Sequence, residues 1–380
     1  MEKLALNFII PPFQIKYVNV LFNCQIIERM LIMNKNTSII TYNLLVFTMI
    51  VGFLSCNTKP EKPKQEETQP APIDASTLIG EESKLMLAYL NELGDYVNSR
   101  NFPSLIKASA VYEGLGEKQL IIDIRKPDDF IKGHIEKAVN IDFREIPEYF
   151  ESKIVPFEYD KIIVVSEDGQ TSSYATCLLR LMGYGNVYSL RWGMSSWNND
   201  FAKENWLKAI SSKHQEKLET QTNEKAAPQK LPELNTGKTK GEEILLTRAH
   251  QLFAEGLEPA HTNADEVFAA STDFYIMNYI RKDNYDAGHI PGAVRYKSEG
   301  TLGIVSEMCT IPTEKTSVVY CGTGHNSEFI TAYLRLFGYN AKTLMYGNNS
   351  FMYDKMVAEK ETLSYLPFTS AEVENYPYVK

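Results

Sequence analysis

The sequence predicts an α/β fold in which one mainly parallel sheet, flanked by helices, is built twice. Three observations support this prediction. The two halves of the chain repeat each other at a fixed offset, short apolar runs alternate with helix-like segments in each half, and a polar stretch separates the halves. Short apolar runs between helices are typical of strands buried in a parallel sheet. The chain therefore contains two copies of one α/β unit.

The repeat is visible in separated motifs that share an offset of 155 residues. The matched pairs are Gly133-His134-Ile135 with Gly288-His289-Ile290, Ser166–Ser172 with Cys321–Ser327, and Leu179–Tyr184 with Leu334–Tyr339. A period this long indicates a duplicated domain, because the units of solenoid proteins are much shorter. The two copies differ at one reactive atom, since the first has a hydroxyl at Ser166 where the second has a thiol at Cys321.

The composition indicates an ordinary globular protein with room for two domains. The chain has 380 residues, 44% of them hydrophobic and 23% charged, with a formal net charge of −9. These values permit packed cores, and the net charge disfavours nucleic acid as a partner, because no basic stripe accompanies the motifs. We expect neither a metal nor an organic cofactor. The predicted organisation is a signal segment (1–56), a tether (57–80), a first repeat (81–208), a linker (209–240) and a second repeat (241–372).

The amino-terminal segment has the features of an export signal. After Met33 a short basic start precedes an apolar run from Ile39 to Leu54, which is too short to span a bilayer. The Phe-Leu-Ser-Cys ending at Cys56 resembles a bacterial lipobox, and a polar tether follows it at once. We therefore expect lipidation of Cys56 and attachment to a bacterial membrane, facing the periplasm or the cell surface. The alternative is an uncleaved membrane anchor.

In the first half, helices are predicted over 82–97, 108–115 and 172–182, and buried strands over 120–124 and 161–165. In the second half, helices are predicted over 242–254 and 265–270, with a further helix around 331–337, and strands over 274–279 and 317–320. A polar stretch over 211–240 has no apolar period and is interpreted as a second tether. Ser166 and Cys321 each follow a predicted strand directly, which is where parallel sheets place their ligands.

The loop after Cys321 has the composition expected around a reactive sulfur. Cys321-Gly322-Thr323-Gly324-His325-Asn326-Ser327 joins a strand to a helix. Backbone N–H groups in such a loop can converge on the sulfur and stabilise a thiolate, which is the nucleophilic form. Thr323, His325 and Asn326 occupy positions that can form the rim of a pocket, and a protonated His325 could attract an anion. The alternative is that Cys321 is an unreactive cysteine buried at the end of a strand.

Several of these motifs resemble the rhodanese homology domain. They are Asp123-Ile-Arg125, Gly133-His134-Ile135 and Ala138–Ile141 in the first copy, and Gly288–Val294 and Val319–Gly324 in the second. The resemblance implies a sulfurtransferase in which Cys321 carries a persulfide. It also implies a thiosulfate or 3-mercaptopyruvate type of donor, and a thiol or cyanide as acceptor. The Cys-Gly-Thr-Gly order of the loop is more similar to mercaptopyruvate-type enzymes, which favours mercaptopyruvate or a protein persulfide as the donor.

The second copy departs from the family pattern at two positions. Asn326 stands where single-domain relatives have arginine, and the Asp-x-Arg motif has become Asn278-Tyr279-Ile280 with Arg281 one step late. Arg281 and Arg295 are candidate replacements for the missing cation, although each could equally be an ordinary surface or structural arginine. The identity of the donor is therefore open.

The first copy is expected to be inactive, because a serine hydroxyl lacks the acidity of a thiol and Glu167 and Asp168 place negative charge beside Ser166. His134 and His289 are interpreted as turn residues that bond to the backbone. Two other functions stay open: a non-catalytic binding module that keeps the rhodanese shape, and a persulfide or redox relay. Cys309 could then act as a resolving thiol, although a core position is favoured for both Cys309 and Cys177.

Overall fold

The structure is a computed structural model that describes residues 75–296, 302–303 and 307–380. The predicted signal segment, Cys56 and most of the first tether lie outside the described residues. Within the described part of the chain, no helix is long and apolar enough to cross a membrane.

Ten strands form two sheets of five, and every strand pairing in both sheets is parallel. The strands are β1 (Leu105–Ile106), β2 (Gln119–Asp123), β3 (Val139–Asn140), β4 (Lys161–Val165), β5 (Val187–Leu190), β6 (His261–Thr262), β7 (Phe274–Asn278), β8 (Val294–Arg295), β9 (Thr316–Tyr320) and β10 (Ala341–Leu344). The first sheet has the order β1-β5-β4-β2-β3 and the second the order β6-β10-β9-β7-β8. The two halves are therefore copies of one α/β unit, which confirms the predicted fold class.

Helices cover both faces of each sheet. They are α1 (Glu81–Glu92), α2 (Ala108–Glu113), α3 (Pro127–Lys132), α4 (Ile146–Glu148), α5 (Gln170–Leu181), α6 (Met194–Trp197), α7 (Asn199–Glu204), α8 (Trp206–Ala209), α9 (Gly241–Glu255), α10 (Ala264–Ala269), α11 (Lys282–Ala287), α12 (His325–Leu336), α13 (Tyr353–Ala358) and α14 (Lys360–Leu363). The predicted helix over 82–97 ends early, at Glu92, and a separate 3-10 turn follows at Tyr96–Asn98. Gly94, at φ +94°, lies between the two and breaks the helical path.

The two repeats share one continuous apolar core. Helices α5 and α12, which follow β4 and β9, pack against each other between the two sheets. Cys177 of α5 donates a hydrogen bond of 3.2 Å to the carbonyl of Phe329 in α12, and both side chains are fully buried. Each sheet has a second, separate cluster of apolar side chains on its outer face. The first repeat is thus packed directly against the helix that follows Cys321.

Two irregular segments, one in the linker and one at the carboxyl-terminal end, each pair with the equivalent histidine turn of one repeat. The segment 211–240 contains one short helix, Gln215–Lys217, and lies against the second repeat, where Glu219 pairs with His289 through two backbone hydrogen bonds of 2.9 Å. After the second repeat the chain returns to the first, where Val379 pairs with His134 in the same way. The stretch interpreted as a tether is therefore held along the protein, and its Leu231 is 3% exposed.

Candidate active site

Cys321 lies directly after β9, at the carboxyl edge of the second sheet. Its side chain forms part of the floor of a cavity of about 900 Å³. The residue is 4% exposed, and Sγ lies 3.6 Å from the hydroxyl of Ser327 in the first turn of α12. The carbonyl of Cys321 accepts a hydrogen bond of 3.0 Å from the N–H of Asn348. These contacts hold the side chain of Cys321 against α12 and its carbonyl against the turn at Gly347–Ser350, and the residue lines the cavity.

The loop residues divide into two groups. Cys321, Gly322, Thr323 and Asn326 line the cavity, whereas His325, which was predicted at the rim with Thr323 and Asn326, does not. His325 and Ser327 lie beneath it, buried at 1% and 0% exposure. Gly324 has φ +82°, and a Cβ there would collide with Gln170 of the first repeat, so this turn requires glycine. The active loop is therefore shaped by contact with the other repeat.

The expectation that His325 attracts anions is wrong. Its Nε2 accepts a hydrogen bond of 3.0 Å from the backbone N–H of Trp192, so the ring proton is on Nδ1, which lies 3.0 Å from the hydroxyl of Thr323. Burial, reinforced by the positive charge of Arg191, lowers the pKa of His325 to about 3. The ring is neutral at physiological pH, and its function is to join the two repeats.

The sulfur does not have the amide hydrogen bonds that the sequence predicts for it. Among the described residues, the recorded partner of Sγ is the Ser327 hydroxyl. The predicted pattern is present in the first repeat instead, where Ser166 Oγ accepts from the N–H groups of Gly169 (2.9 Å) and Ser172 (3.4 Å). Oxygen is smaller than sulfur and sits deeper in an otherwise similar loop.

The two arginine candidates are in different places. Arg281 lines the cavity, with 58% of its side chain exposed and its guanidinium 3.1 Å from Asp283. Arg295 does not line it; its Nε donates to the carbonyl of Ile280 at 3.2 Å. The structure therefore places Arg281 at the site and gives Arg295 a role in holding the backbone.

In the second repeat a hydrogen bond between neutral buried side chains replaces the ion pair of the Asp-x-Arg motif. In the first repeat Asp123 and Arg125 form a buried ion pair of 2.7 Å, and Arg125 also donates to the carbonyl of Gly133. In the second repeat the amide of Asn278 donates to the hydroxyl of Tyr320 at 2.7 Å, which also accepts from a backbone N–H. A neutral pair thus takes the place of the buried charges. It supplies no cation to the cavity.

Ser166 is closed off from solvent. It is 1% exposed, and its hydroxyl donates to Asp168 at 2.9 Å. Asp168 in turn accepts from the N–H groups of Gln170 and Thr171 at the start of α5. Burial and the neighbouring Asp168 raise the pKa of Glu167 to about 7, so this carboxyl is only partly charged at neutral pH. Of the two acids predicted to repel anions, Glu167 is thus partly neutralised by its surroundings.

His134 and His289 have structural positions, as expected. Their Nδ1 atoms lie 3.0 Å from the carbonyl of Phe130 and 2.7 Å from that of Tyr285. Cys177 and Cys309 are both in the shared core, at 0% and 3% exposure. Burial raises the pKa of each of these two thiols, which disfavours their reactive form. Among the described cysteines, Cys321 alone lines the cavity.

The first repeat brings to this cavity cations that the sequence patterns did not predict. Arg100, Lys107 and Arg191 line it, together with Tyr365 and Leu366 from the carboxyl-terminal part of the chain. A signal was available, because Lys107 and Arg191 each follow a strand directly, as Cys321 does. Those strands, β1 and β5, contain two and four residues and were too short to be recognised. Among the described residues no group of three or more His, Cys, Asp or Glu is placed to hold a metal ion.

The fold and the site define a class of protein: two parallel α/β repeats with one accessible thiol at a strand end. The sequence model of the rhodanese-like domain matches residues 107–200 and 279–353. The thiosulfate sulfurtransferase GlpE of Stutzerimonas stutzeri is 30% identical over 86 residues, which are 22% of this chain and 75% of that protein. The chain belongs to the rhodanese-like family.

Two solved structures illustrate the range of the likeness. The 3-mercaptopyruvate sulfotransferase SseA of Escherichia coli matches 63% of this chain and 97% of its own, with 19% identity and a TM-score of 0.25. A rhodanese-related protein of Thermoplasma volcanium matches 26% of this chain and 91% of its own, with 26% identity and a TM-score of 0.22.

Proposed function

We propose that this protein is a sulfurtransferase that carries sulfane sulfur as a persulfide on Cys321. The observation that carries the proposal is the position of Cys321, a thiol at the carboxyl end of β9 that lines a cavity of about 900 Å³. The family membership supports the same function, because a relative with 30% identity is a thiosulfate sulfurtransferase. The first repeat, with Ser166 in the equivalent place, has no thiol to charge.

In the charging step the Cys321 thiolate attacks the transferable sulfur of the donor. With thiosulfate, a new S–S bond forms to Sγ, the S–S bond of thiosulfate breaks, and sulfite leaves with the electron pair. With 3-mercaptopyruvate, the C–S bond breaks, the electron pair passes to the enolate of pyruvate, and the donor's thiol proton ends on that carbon. Both reactions leave a Cys321 persulfide anion and follow the pattern of covalent catalysis.

The persulfide explains the form of the loop. Its outer sulfur lies about 2 Å beyond Sγ, which is the length of an S–S bond. Gly322 and Thr323 line the cavity beside Cys321, and the hydroxyl of Thr323 lies 3.0 Å from Nδ1 of His325. Their backbone N–H groups, with the start of α12, are candidates to stabilise an anion at the outer sulfur. The outer sulfur then passes to a thiolate or to cyanide, and Cys321 leaves as the thiolate.

The nature of the donor is inferred from the loop. Thr323 stands at the second place after the cysteine, where thiosulfate-type loops of the family often carry a basic residue. A Cys-Gly-Thr-Gly loop is more similar to that of mercaptopyruvate-type enzymes. We therefore favour 3-mercaptopyruvate over thiosulfate as the donor.

The test is mass spectrometry of the purified protein after separate exposure to thiosulfate and to 3-mercaptopyruvate. We expect a gain of one sulfur atom on the peptide that contains Cys321, and its loss as thiocyanate when cyanide is added. Cys321→Ser should abolish the gain, and Cys177→Ala, in the core, serves as the matched control that keeps it. Equal loading of the Cys321→Ser protein, or no loading of the unaltered protein by either donor, would rule the proposal out.

We further propose that the chain is exported and lipid-anchored through Cys56. The support is the order of the amino-terminal features, namely a basic start, an apolar run that is too short to span a bilayer, Cys56 and a polar tether. Fractionation of cells that express the full chain tests this. We expect the protein with the membranes and Cys56→Ser outside the membrane fraction in its mature form; an unchanged distribution contradicts the anchor.

A further inference from the structure

The cavity around Cys321 is built from both repeats, and its positive charge comes mostly from the first. The first repeat contributes Arg100, Phe102, Pro103, Leu105, Lys107 and Arg191 to the wall. The second contributes one cation, Arg281, which already has Asp283 3.1 Å away. No aspartate or glutamate is among the lining residues in the part of the chain that the structure describes.

Lys107 and Arg191 are held side by side by the first sheet. Strands β1 and β5 are parallel neighbours, and Ile106 is paired with Leu190. Lys107 and Arg191 are the next residues on these two strands, and the N–H of Arg191 donates to the carbonyl of Ile106 at 2.9 Å. Both side chains therefore begin at the carboxyl edge of the sheet, which is the edge where parallel sheets bind ligands.

The guanidinium of Arg191 is held in place by an aromatic ring and is only partly paired with a carboxylate. It lies over the ring of Trp192, with its central carbon 5.0 Å from the ring centroid. Glu372 approaches it to 3.9 Å, but the same carboxylate oxygen accepts a shorter hydrogen bond, of 2.9 Å, from the indole of Trp192. The charge of Arg191 also contributes to the low pKa of His325, which places that charge close to the active loop.

The second repeat cannot supply this charge from its own motif. Its counterpart of Arg125 is Ile280, an apolar residue that lines the same cavity. In the first repeat the counterpart of Cys321 is the buried Ser166, while Lys107 and Arg191 line the cavity that contains Cys321. The second repeat has the nucleophile and one cation at the cavity, and the first repeat has no nucleophile there and three cations, Arg100, Lys107 and Arg191.

We propose that Lys107 and Arg191 of the first repeat form the anion receptor of the Cys321 site, with Arg281 on the opposite side. The inference rests on the proposed function and specifies its donor class. The receptor fits a small sulfur donor that carries a carboxylate or sulfonate-type group next to the transferable sulfur. The repeat with Ser166 in place of the reactive cysteine is thus the substrate-recognition half of the enzyme.

The test compares two alkylating probes of nearly the same size, iodoacetate, which is anionic, and iodoacetamide, which is neutral. Both attack the same thiolate, so the ratio of their rates at Cys321 cancels any change in the thiolate fraction. We expect this ratio to exceed that of a simple neutral thiol such as 2-mercaptoethanol, and to fall about tenfold in the Lys107→Gln/Arg191→Gln double variant. Added salt should reduce the ratio in the unaltered protein, because it screens the charges.

Two further variants separate charge from structure. Arg191→Lys keeps the charge and should keep most of the ratio. Lys118→Gln removes an exposed lysine at the opposite edge of the same sheet, just before β2, and should leave the ratio unchanged. The proposal is overturned if the double variant keeps the ratio of the unaltered protein, if Lys118→Gln lowers it as much, or if Cys321 reacts with neither probe.

This experiment is independent of sulfur transfer. A protein that takes no sulfur from any donor, but shows the expected probe ratios, would lack the proposed activity and still have the receptor. A protein that loads sulfur on Cys321 with an unchanged ratio in the double variant would have the activity without this receptor. Steady-state kinetics then add a second readout, because loss of the receptor should raise the KM for the anionic donor more than it lowers kcat.

Discussion

The backbone N–H of Trp192, in the first repeat, donates a hydrogen bond of 3.0 Å to Nε2 of His325, in the second. The reverse bond is also present, because the N–H of Tyr346 donates to the side-chain oxygen of Gln170 at 2.5 Å. Gln170 and His325 begin equivalent helices, and Trp192 and Tyr346 have left-handed backbones of φ 64° and 63° after equivalent strands. Each repeat thus holds in place the loop of the other, which follows Ser166 in the first repeat and Cys321 in the second.

The neutral, buried state of His325 predicts a pH-dependent stability. Its pKa of about 3 in the folded protein is below the ordinary value of about 6.5. Below pH 6.5 the unfolded chain therefore binds a proton that the folded chain does not, and stability falls as the pH falls. Between pH 7 and pH 4.5 we expect a loss of roughly 2–3 kcal/mol from this residue. Urea unfolding at a series of pH values measures it.

His325→Gln is the matched variant, because glutamine at the equivalent position 170 already accepts such a bond. The free energy of unfolding of His325→Gln should lack this part of the pH dependence. Plotted against pH, the unfolding free energies of the variant and the unaltered protein should therefore converge as the pH falls. Parallel curves for the two proteins would show that the fold does not lower the pKa of His325.

Breaking the buried ion pair of the first repeat should destabilise the protein far more than breaking one of its exposed ion pairs. Arg125→Ile removes the only cation paired with the fully buried Asp123 within the described contacts. An unpaired buried charge costs about 3–5 kcal/mol. The free energy of unfolding should fall by that amount, whereas Lys132→Ile, which breaks an exposed pair with Asp129, should change it by less than about 1 kcal/mol.

The second repeat shows how the loss can be repaired. Adding Asp123→Asn and Val165→Tyr to Arg125→Ile recreates the neutral arrangement of Asn278 and Tyr320. We expect this triple variant to recover at least half of the stability that Arg125→Ile loses. No recovery would mean that the tyrosine hydroxyl is not what compensates for the missing charge.

Gly347 should be essential for the shape of the cysteine loop. It has φ +51°, and a Cβ there would lie 2.1 Å from the carbonyl oxygen of Cys321. Gly347→Ala should therefore displace the loop and reduce sulfur loading at least tenfold, by the mass-spectrometric assay. Gly292→Ala is the control, because Gly292 also has a positive φ, +79°, but nothing lies within 4 Å of the added carbon. It should cost about 1 kcal/mol and leave loading intact.

Restoring a thiol to the first repeat should not create a second active site. Ser166 is 1% exposed, and the nearby cavity of about 390 Å³ is lined by Glu167 and not by Ser166. In a Cys321→Ser background, Ser166→Cys should take up no sulfur from either donor. Loading at position 166 would show instead that the serine alone keeps this repeat inactive.

Local patterns made the fold predictable. The repeat offset of 155 residues and the apolar runs that became β2, β4, β7 and β9 were sufficient for two parallel α/β units, and each of these strands has five residues, most of them buried. The position of Cys321 after a strand also placed it at the correct edge of the sheet. The two-residue edge strands β1, β3, β6 and β8 and the four-residue strands β5 and β10 were not predictable, because such short runs carry little periodicity and are formed by pairing with their neighbours.

The sequence by itself determined the duplicated α/β fold, the one thiol at a strand end, and the change from cysteine to serine between the copies. Tertiary structure alone decided that His325 is neutral and joins the repeats, and that Lys107 and Arg191 line the cavity of the other half. The physical reason is that strand periodicity and loop composition act within a few residues. Burial and charge at the site depend on side chains brought together across the interface by the packing of α5 against α12.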